Sequence, residues 1–406
     1  MAEIKTNLDP LKLKSGLLLA CDWVTEIAQL KTENFPPDTR DTIGHLHKSW
    51  KGAIRGEYSV AQKQWDFFCP VWHTGQAVKA LVLAAEYFKN ERYQSAARLG
   101  ADFIINNQIW NPENPDHGLI LAYEDYGDKV TTSAILESMH GLILLADTES
   151  SSELWSRLTT AGNFLIDKLY MPQECLFRDL YDPAIHCAAP NPYRTKNNIG
   201  GRPLLDDSIM LRLYHKTKEK HFLDVHIKIS ETLVREQNPK GNWIDYGPCN
   251  PKTGSFHPRH TYWWGLPLLG TYRETGREEF LHTALACGEF LKNALREDGG
   301  YFRGYYLDGK TDSFGHATSG SACAAIFCLE LFKVTHAPEW MALAQKALSF
   351  CLSMQFTSPE DPNLKGAILE KVLPPNGKDL SPYHIRDLGT IFFITAGCLY
   401  LKEFQL

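Results

Sequence analysis

The chain has 406 residues and a hydrophobic share of 44%, enough for a large buried core, and its formal net charge of −6 comes without a basic cluster. Neutralising phosphates requires Lys and Arg concentrated on one surface, so a nucleic-acid partner is excluded. No stretch reaches the roughly 18 consecutive apolar residues of a membrane span, and the charged segment from Met1 to Lys14 lacks the apolar centre of a signal peptide.

No membrane partner is therefore expected, and the location is expected to be cytoplasmic unless a leader has been removed. There is no Ser/Gly linker, charge block or low-complexity run, so one domain spanning 1–406 is expected. The 10 cysteines are scattered without a Cys-x-x-Cys pair, and several sit in apolar helical runs, as buried free thiols do. The histidine spacings match no common zinc or iron pattern, so neither a metal nor another cofactor is expected. The oligomeric state is left open.

Helical periodicity dominates the chain from its start. A first helix is predicted over about Leu11–Leu30, followed by a long irregular connection to Cys69. Helices over about Val71–Lys89 and from Glu91 to Asn107 are joined by a single turn at Asn90. The alternation continues with Lys129–Ala146 and Ser152–Leu169, Leu205–Lys216 and Lys220–Gln237, and Thr261–Glu274 and Arg277–Arg296. Ser319–Val334, Pro338–Gln355 and a last helix ending near Leu401 complete twelve helices with long and short connections in alternation.

Helical hairpins of about 45 to 65 residues repeated six times bury a core only by stacking side by side, and closing them into a ring leaves no open edge. The helices that follow the long loops carry fewer charges, as an inner ring should. The fold class predicted is therefore all-α, an (α/α)6 barrel of six helical hairpins. All long loops then emerge at one face, and a functional site is expected where they meet the first turns of the inner helices.

The most informative stretch is Gly200-Gly201-Arg202-Pro203-Leu204-Leu205-Asp206-Asp207-Ser208, which leads two adjacent acids into an apolar helix. One acid at a helix start is expected to cap free backbone N–H groups. The second is a catalytic candidate, with Glu124 and Asp125 of the preceding long loop as possible partners. The same face collects Trp72, His73 and Gln76, then Tyr123, then Asp245 and Tyr246. Arg259, His260, Trp263 and Trp264 follow, with Tyr301, Arg303, His316, Ser319 and His384 from the last third of the chain. Aromatic faces stack on sugar rings, acids and amides bind hydroxyls, and Arg pairs bidentately with carboxylates, so the mixture fits an oligosaccharide carrying a uronic acid.

Leu205-Asp206-Asp207-Ser208-Ile209-Met210 resembles the inner-helix start of the unsaturated glucuronyl and unsaturated rhamnogalacturonyl hydrolases, a family of six-hairpin glycosidases. Arg259-His260-Thr261-Tyr262-Trp263 is similar to the family's Arg-Gly-Asn-Gly-Trp, with bulky side chains where the family has Gly-Asn-Gly. Thr318-Ser319-Gly320-Ser321-Ala322, Gly389-Thr390-Ile391-Phe392-Phe393 and Trp72-His73-Thr74-Gly75 resemble further inner-helix motifs in order. The resemblance implies hydrolysis of a terminal unsaturated uronyl residue with an Asp acid/base, aligned most closely with Asp206. A saturated β-glucuronidase on the same barrel stays open as an alternative, needing two flanking carboxylates such as Asp206 with Glu124, Asp125 or Asp245. So does a sugar 2-epimerase using paired His bases.

Overall fold

The computed structural model describes residues 8–124, 127–191, 200–252, 254–306, 318–372 and 384–404. Within them are twelve α-helices: α1 Pro10–Asp22, α2 Pro70–Phe88, α3 Glu91–Asn106, α4 Thr132–Thr148, α5 Ser152–Leu169 and α6 Ile209–Thr217. The second half contributes α7 Lys220–Glu236, α8 Leu266–Thr275, α9 Glu278–Ala294, α10 Thr318–Thr335, α11 Pro338–Ser353 and α12 Leu388–Glu403.

Local chemistry sets many of the helix ends. Asp9 accepts from the backbone amides of Leu11 and Lys12 at the start of α1, Asn90 from Arg92 N before α3, and Ser151 from Leu154 N before α5. Gly276 closes α8 in the left-handed conformation, at φ 66°.

The even-numbered helices form an inner ring and the odd-numbered ones its outer sleeve. α2 packs on α4, α8 and α10 touch, α10 packs on α12, and α12 returns to α2 to close the ring. The turn before α6 bridges α4 and α8. Each outer helix covers its hairpin partner, α3 on α2, α5 on α4, α7 on α6, α9 on α8 and α11 on α10, with α1 on α12. An inner helix is enclosed on all sides, which is why α12 is buried from Leu388 to Ile394 without a polar face. The architecture is the (α/α)6 barrel that the alternating loop lengths predict.

Glycines allow the tightest contact in the ring. A Cβ on Gly75 of α2 would lie 2.2 Å from Ser138 Cα on α4, and one on Gly141 would lie 2.3 Å from the Gly75 carbonyl oxygen. The two backbones touch there.

Four helix starts differ from the sequence expectation. The second inner helix begins at Thr132 rather than Lys129, the third at Ile209 rather than Leu205, the fourth opens with a π-helical turn over Thr261–Gly265, and Ile385, expected to open the last helix, lies in a strand ahead of α12. The long connections, expected to be irregular, contain short strands. Thr39–Arg40, Gln64–Phe67, Gly56–Ser59, His384–Arg386 and Lys371–Val372 form one five-stranded sheet in that spatial order. Burial alternates along Gln64–Phe67, with Trp65 and Phe67 turned into the core. The sheet joins the first long loop to the last, across the ring closure.

Candidate functional site

The two adjacent acids occupy a tight turn, Asp206–Ser208, immediately before α6. Asp207 and Ser208 both take the left-handed backbone conformation, with φ of 51° and 57°. Asp tolerates that region better than most residues. Neither acid acts as the expected cap, because no side-chain cap hydrogen bond is made at this turn or at the start of α6. The twisted backbone sends the two carboxylates into different surroundings.

Asp207 faces the barrel axis and is held on every side. Lys79 Nζ of α2 donates to both of its oxygens, at 3.0 and 2.9 Å, and Gln76 Nε2 donates at 2.9 Å. The Tyr262 hydroxyl donates at 2.9 Å, and His140 Nδ1 lies 3.3 Å away. Burial works to raise the Asp207 pKa, but the Lys79 ammonium, His140 and Gln76 outweigh it and hold the carboxyl well below its ordinary range. His140 is itself kept neutral, since burial and the nearby Arg212 lower its pKa to about 3.

Asp206 is as deeply buried but far less satisfied, and its Oδ2 has no hydrogen-bond partner among the described residues. Burial raises its pKa to about 7, against the opposing pull of the Arg202 guanidinium. Glu137, on α4, is electrostatically coupled to it. Burial and then the charges of Asp206 and Asp207 raise the Glu137 pKa well above the carboxylate range, although Trp72 Nε1 donates to its Oε2 at 2.8 Å. Two carboxyls that cannot both ionise easily interact here, and burial holds each toward its protonated form. Glu124 is buried within electrostatic reach of both Glu137 and Arg202. Arg202 is fixed by Asp179 Oδ1 at 2.6 Å and by the Ser133 hydroxyl at 3.1 Å.

A cationic region lies beside this pair in the ring. The Arg259 guanidinium sits over the Trp263 ring at 5.1 Å, with its Nε and one terminal nitrogen lacking partners among the described residues. His257 stacks on the same indole, its centroid 5.9 Å away. Arg303 has its pKa pushed down to about 10, by burial first and then by Arg386 and Arg259. Glu370 accepts from the Ser319 hydroxyl at 2.6 Å and from Ser319 N at 2.8 Å, and Glu57 pairs with Arg386 across the five-stranded sheet.

Other predicted residues turn into the packing. The His260 ring stacks on Trp264 with centroids 4.2 Å apart, and its nitrogens face Asn242 Oδ1 at 3.2 Å and the Gly247 carbonyl at 3.4 Å. Burial lowers its pKa to about 3. Tyr246 packs edge-on against Trp264, Tyr123 against His47, and Tyr301 is buried with its hydroxyl unpartnered among the described residues. His73 is fully buried with its Nδ1 2.7 Å from Asp387. Asp245 is half-buried. Asp125, His316 and the His384 side chain lie outside the described residues.

Glu137, Lys79, His140 and Glu370 were not among the sequence candidates. A usable signal existed for the first two, because Glu137 and Lys79 are charges in the apolar middle of inner helices, whose other charges, Glu86 and Asp147, sit exposed in the last turn. A buried charge is retained only with a partner. Among the described residues no group of three or more His, Cys, Asp or Glu side chains is placed to hold a metal ion, and no helix is long and apolar enough to cross a membrane.

No family model matches the sequence, and no curated protein does. Solved structures do match. A D-mannose isomerase superposes with a TM-score of 0.69 at 13% identity, over 97% of each chain. An unsaturated glucuronyl hydrolase specific for heparin gives 0.70 at 12% identity, over 98% of this chain and 99% of the other. Cellobiose 2-epimerase from Spirochaeta thermophila DSM 6192 gives 0.67 at 12%, over 99% of this chain and all of its own. The protein shares the six-hairpin (α/α)6 barrel of the unsaturated glucuronyl hydrolases and of the sugar epimerases and isomerases built on the same ring.

Proposed function

We propose that the protein is a carbohydrate-active hydrolase that releases a terminal uronyl residue, of the unsaturated type, from an oligosaccharide, with Asp206 as the acid. The observation that carries this reading is the state of Asp206, a buried carboxyl with a free oxygen whose pKa of about 7 keeps it substantially protonated near neutrality. A general acid is most effective when its pKa lies near the working pH. Glu137, whose own pKa burial and the charges of Asp206 and Asp207 raise well above the carboxylate range, stays protonated and adds no second negative charge beside it.

The chemistry then follows from one carboxyl acting twice. Asp206 delivers its proton to C4 of the C4=C5 enol ether, leaving positive charge shared between C5 and the ring oxygen. The resulting Asp206 carboxylate accepts a proton from the water that adds at C5. The hemiketal so formed opens, and the leaving sugar departs from C1 as its alcohol. Trp72 supplies a flat apolar face for the ring, and the Arg259 nitrogens that lack partners among the described residues suit the substrate carboxylate.

The presence of Glu137 beside Asp206 favours one second reading, a saturated glucuronidase in which the two carboxyls serve as acid and base or nucleophile. An epimerase draws less support from the described histidines. Both His260 nitrogens are engaged, and His257 Nδ1 accepts from Arg259 N at 3.1 Å, which places the His257 proton on Nε2 and leaves a donor there rather than a base.

Incubation with an unsaturated uronyl disaccharide, followed by loss of the enol-ether ultraviolet absorbance, tests the proposal. Absorbance loss that disappears in Asp206→Asn supports it. Release of uronic acid from a saturated glucuronide alone selects the second reading, and epimerisation of mannose or cellobiose without either hydrolysis overturns both.

A further inference from the structure

The inner ring encloses a second cavity, below Asp207 and away from the long-loop face. Its volume is about 440 Å³, within the range of small-molecule sites. All six inner helices line it. Leu83, Leu144, Leu211, Leu266, Ile326 and Leu399 make an aliphatic wall. The mouth lies at the short-connection end, where His215 pairs with Glu274 at 2.8 Å and Arg273 with Glu330 at 2.8 Å, with His215 and Arg273 exposed. The hydrogen-bonded group of Asp207, Lys79, Gln76 and Tyr262 forms the partition that separates this space from Asp206 and Glu137.

Arg212 is the anomaly in this cavity. Its Nε donates to the Asp207 carbonyl at 2.8 Å, but among the described residues no carboxylate forms an ion pair with its guanidinium, which lines the cavity close to the partition. Burial lowers its pKa, outweighing the opposing pull of Asp207, Tyr262, Glu330 and Asp147. A buried cation that no carboxylate pairs with directly is costly, and an anion delivered to its guanidinium recovers that cost.

We infer that this axial cavity is a binding site for a small aliphatic carboxylate, its head group paired bidentately with Arg212 and its chain lying along the Leu and Ile wall. The site is separate from the proposed hydrolytic centre and does not depend on that reading. From Leu266 to Glu274 the wall rises by about 12 Å of helix, long enough for an aliphatic chain of about eight carbons. The six aliphatic side chains of the wall form no hydrogen bond to a sugar hydroxyl and favour an alkyl chain, while the polar residues gather at the partition and the mouth.

Isothermal titration of the full chain with octanoate tests the assignment. Saturable binding at one site is expected, tightening about fourfold per methylene from hexanoate to octanoate. Octan-1-ol, which lacks the charge, should bind at least tenfold more weakly. Arg212→Met should weaken octanoate at least tenfold while leaving octan-1-ol unchanged, and Arg212→Lys should keep part of the difference. Leu144→Trp, which fills the wall, should abolish binding of both. Failure of wild-type protein to saturate with octanoate overturns the inference, as does equal affinity for octanoate and octan-1-ol. Those two measurements need no variant. Unchanged octanoate affinity in a folded Arg212→Met protein, judged by its circular dichroism melt, overturns it as well.

Discussion

Lys79 Nζ lies 3.0 and 2.9 Å from the two carboxylate oxygens of Asp207, and both side chains are sealed from solvent in the middle of the ring. The pair ties α2 to the turn before α6, across the barrel. Removing one partner leaves an uncompensated buried charge, so Lys79→Met should cost about 3–5 kcal/mol of unfolding free energy. Chemical denaturation measures it. The double variant Lys79→Met/Asp207→Leu should recover much of the loss, and a single variant as stable as wild type would show that the pair bears no such strain.

Much of the barrel is legible in the sequence because hairpin repetition and loop alternation are properties of spacing alone. Twelve helices and their inner or outer placement follow from where charges thin out. The site is less legible. Asp206 and Asp207 read as equivalent neighbours, yet two consecutive left-handed residues send one to Lys79 and leave the other with a free oxygen. No pattern of residue types encodes that divergence. His260 and Trp264 look like site residues at a helix start, but the π-helical turn over Thr261–Gly265 accompanies their stacking inside the packing. Glu137 was hidden because one buried acid amid apolar helix residues has no motif, only an energetic anomaly.

The glycine contact between α2 and α4 gives a second stability prediction. In Gly75→Ala the new methyl meets Ser138 backbone, which cannot rotate away, so the helices must separate. Overpacking of this kind typically costs about 1–3 kcal/mol, and a rigid backbone neighbour places the variant at the upper end. The variant's urea midpoint should fall with little change in slope. Gly127→Ala is a matched control, because its Cβ would meet nothing within 4 Å, although its φ of 61° leaves a small conformational cost.

Protonation of Asp206 favours both stability and activity as pH changes. Its folded pKa of about 7 exceeds the ordinary Asp value near 3.9, so between these limits the folded chain binds more protons than the unfolded one and stability falls as pH rises. The slope from this group approaches 1.4 kcal/mol per pH unit and levels off above about 7. Glu137, also raised, adds in the same direction. Asp207 is depressed, and its contribution is present above the unfolded value and lost only in more acidic solution. Asp206→Asn should therefore flatten the decline between about pH 4 and 7 in denaturation midpoints. In the same variant turnover should drop by about 100-fold or more, the usual contribution of a general acid. Wild-type kcat/KM should fall as pH rises through about 7, with Asp206 losing its proton.

Arg259 provides the test of what the substrate carries. Its guanidinium has nitrogens without partners among the described residues, lies over Trp263, and shares its region with Arg303, whose lowered pKa reflects burial and the repulsion of Arg386 and Arg259. Such a cluster of like charges is held at a cost and favours an anionic ligand that neutralises it. A substrate carboxylate gains a charge-assisted hydrogen bond there, worth about 1.5–3 kcal/mol. Arg259→Met should thus raise KM for a uronide by about 10- to 100-fold, while the same sugar with its carboxylate methyl-esterified should lose little. Arg259→Lys keeps the charge but not the planar fork and should fall between them. If the ester and the free acid suffer equally in Arg259→Met, the guanidinium holds the loop in place rather than the sugar, and the carboxylate must be bound elsewhere on the ring.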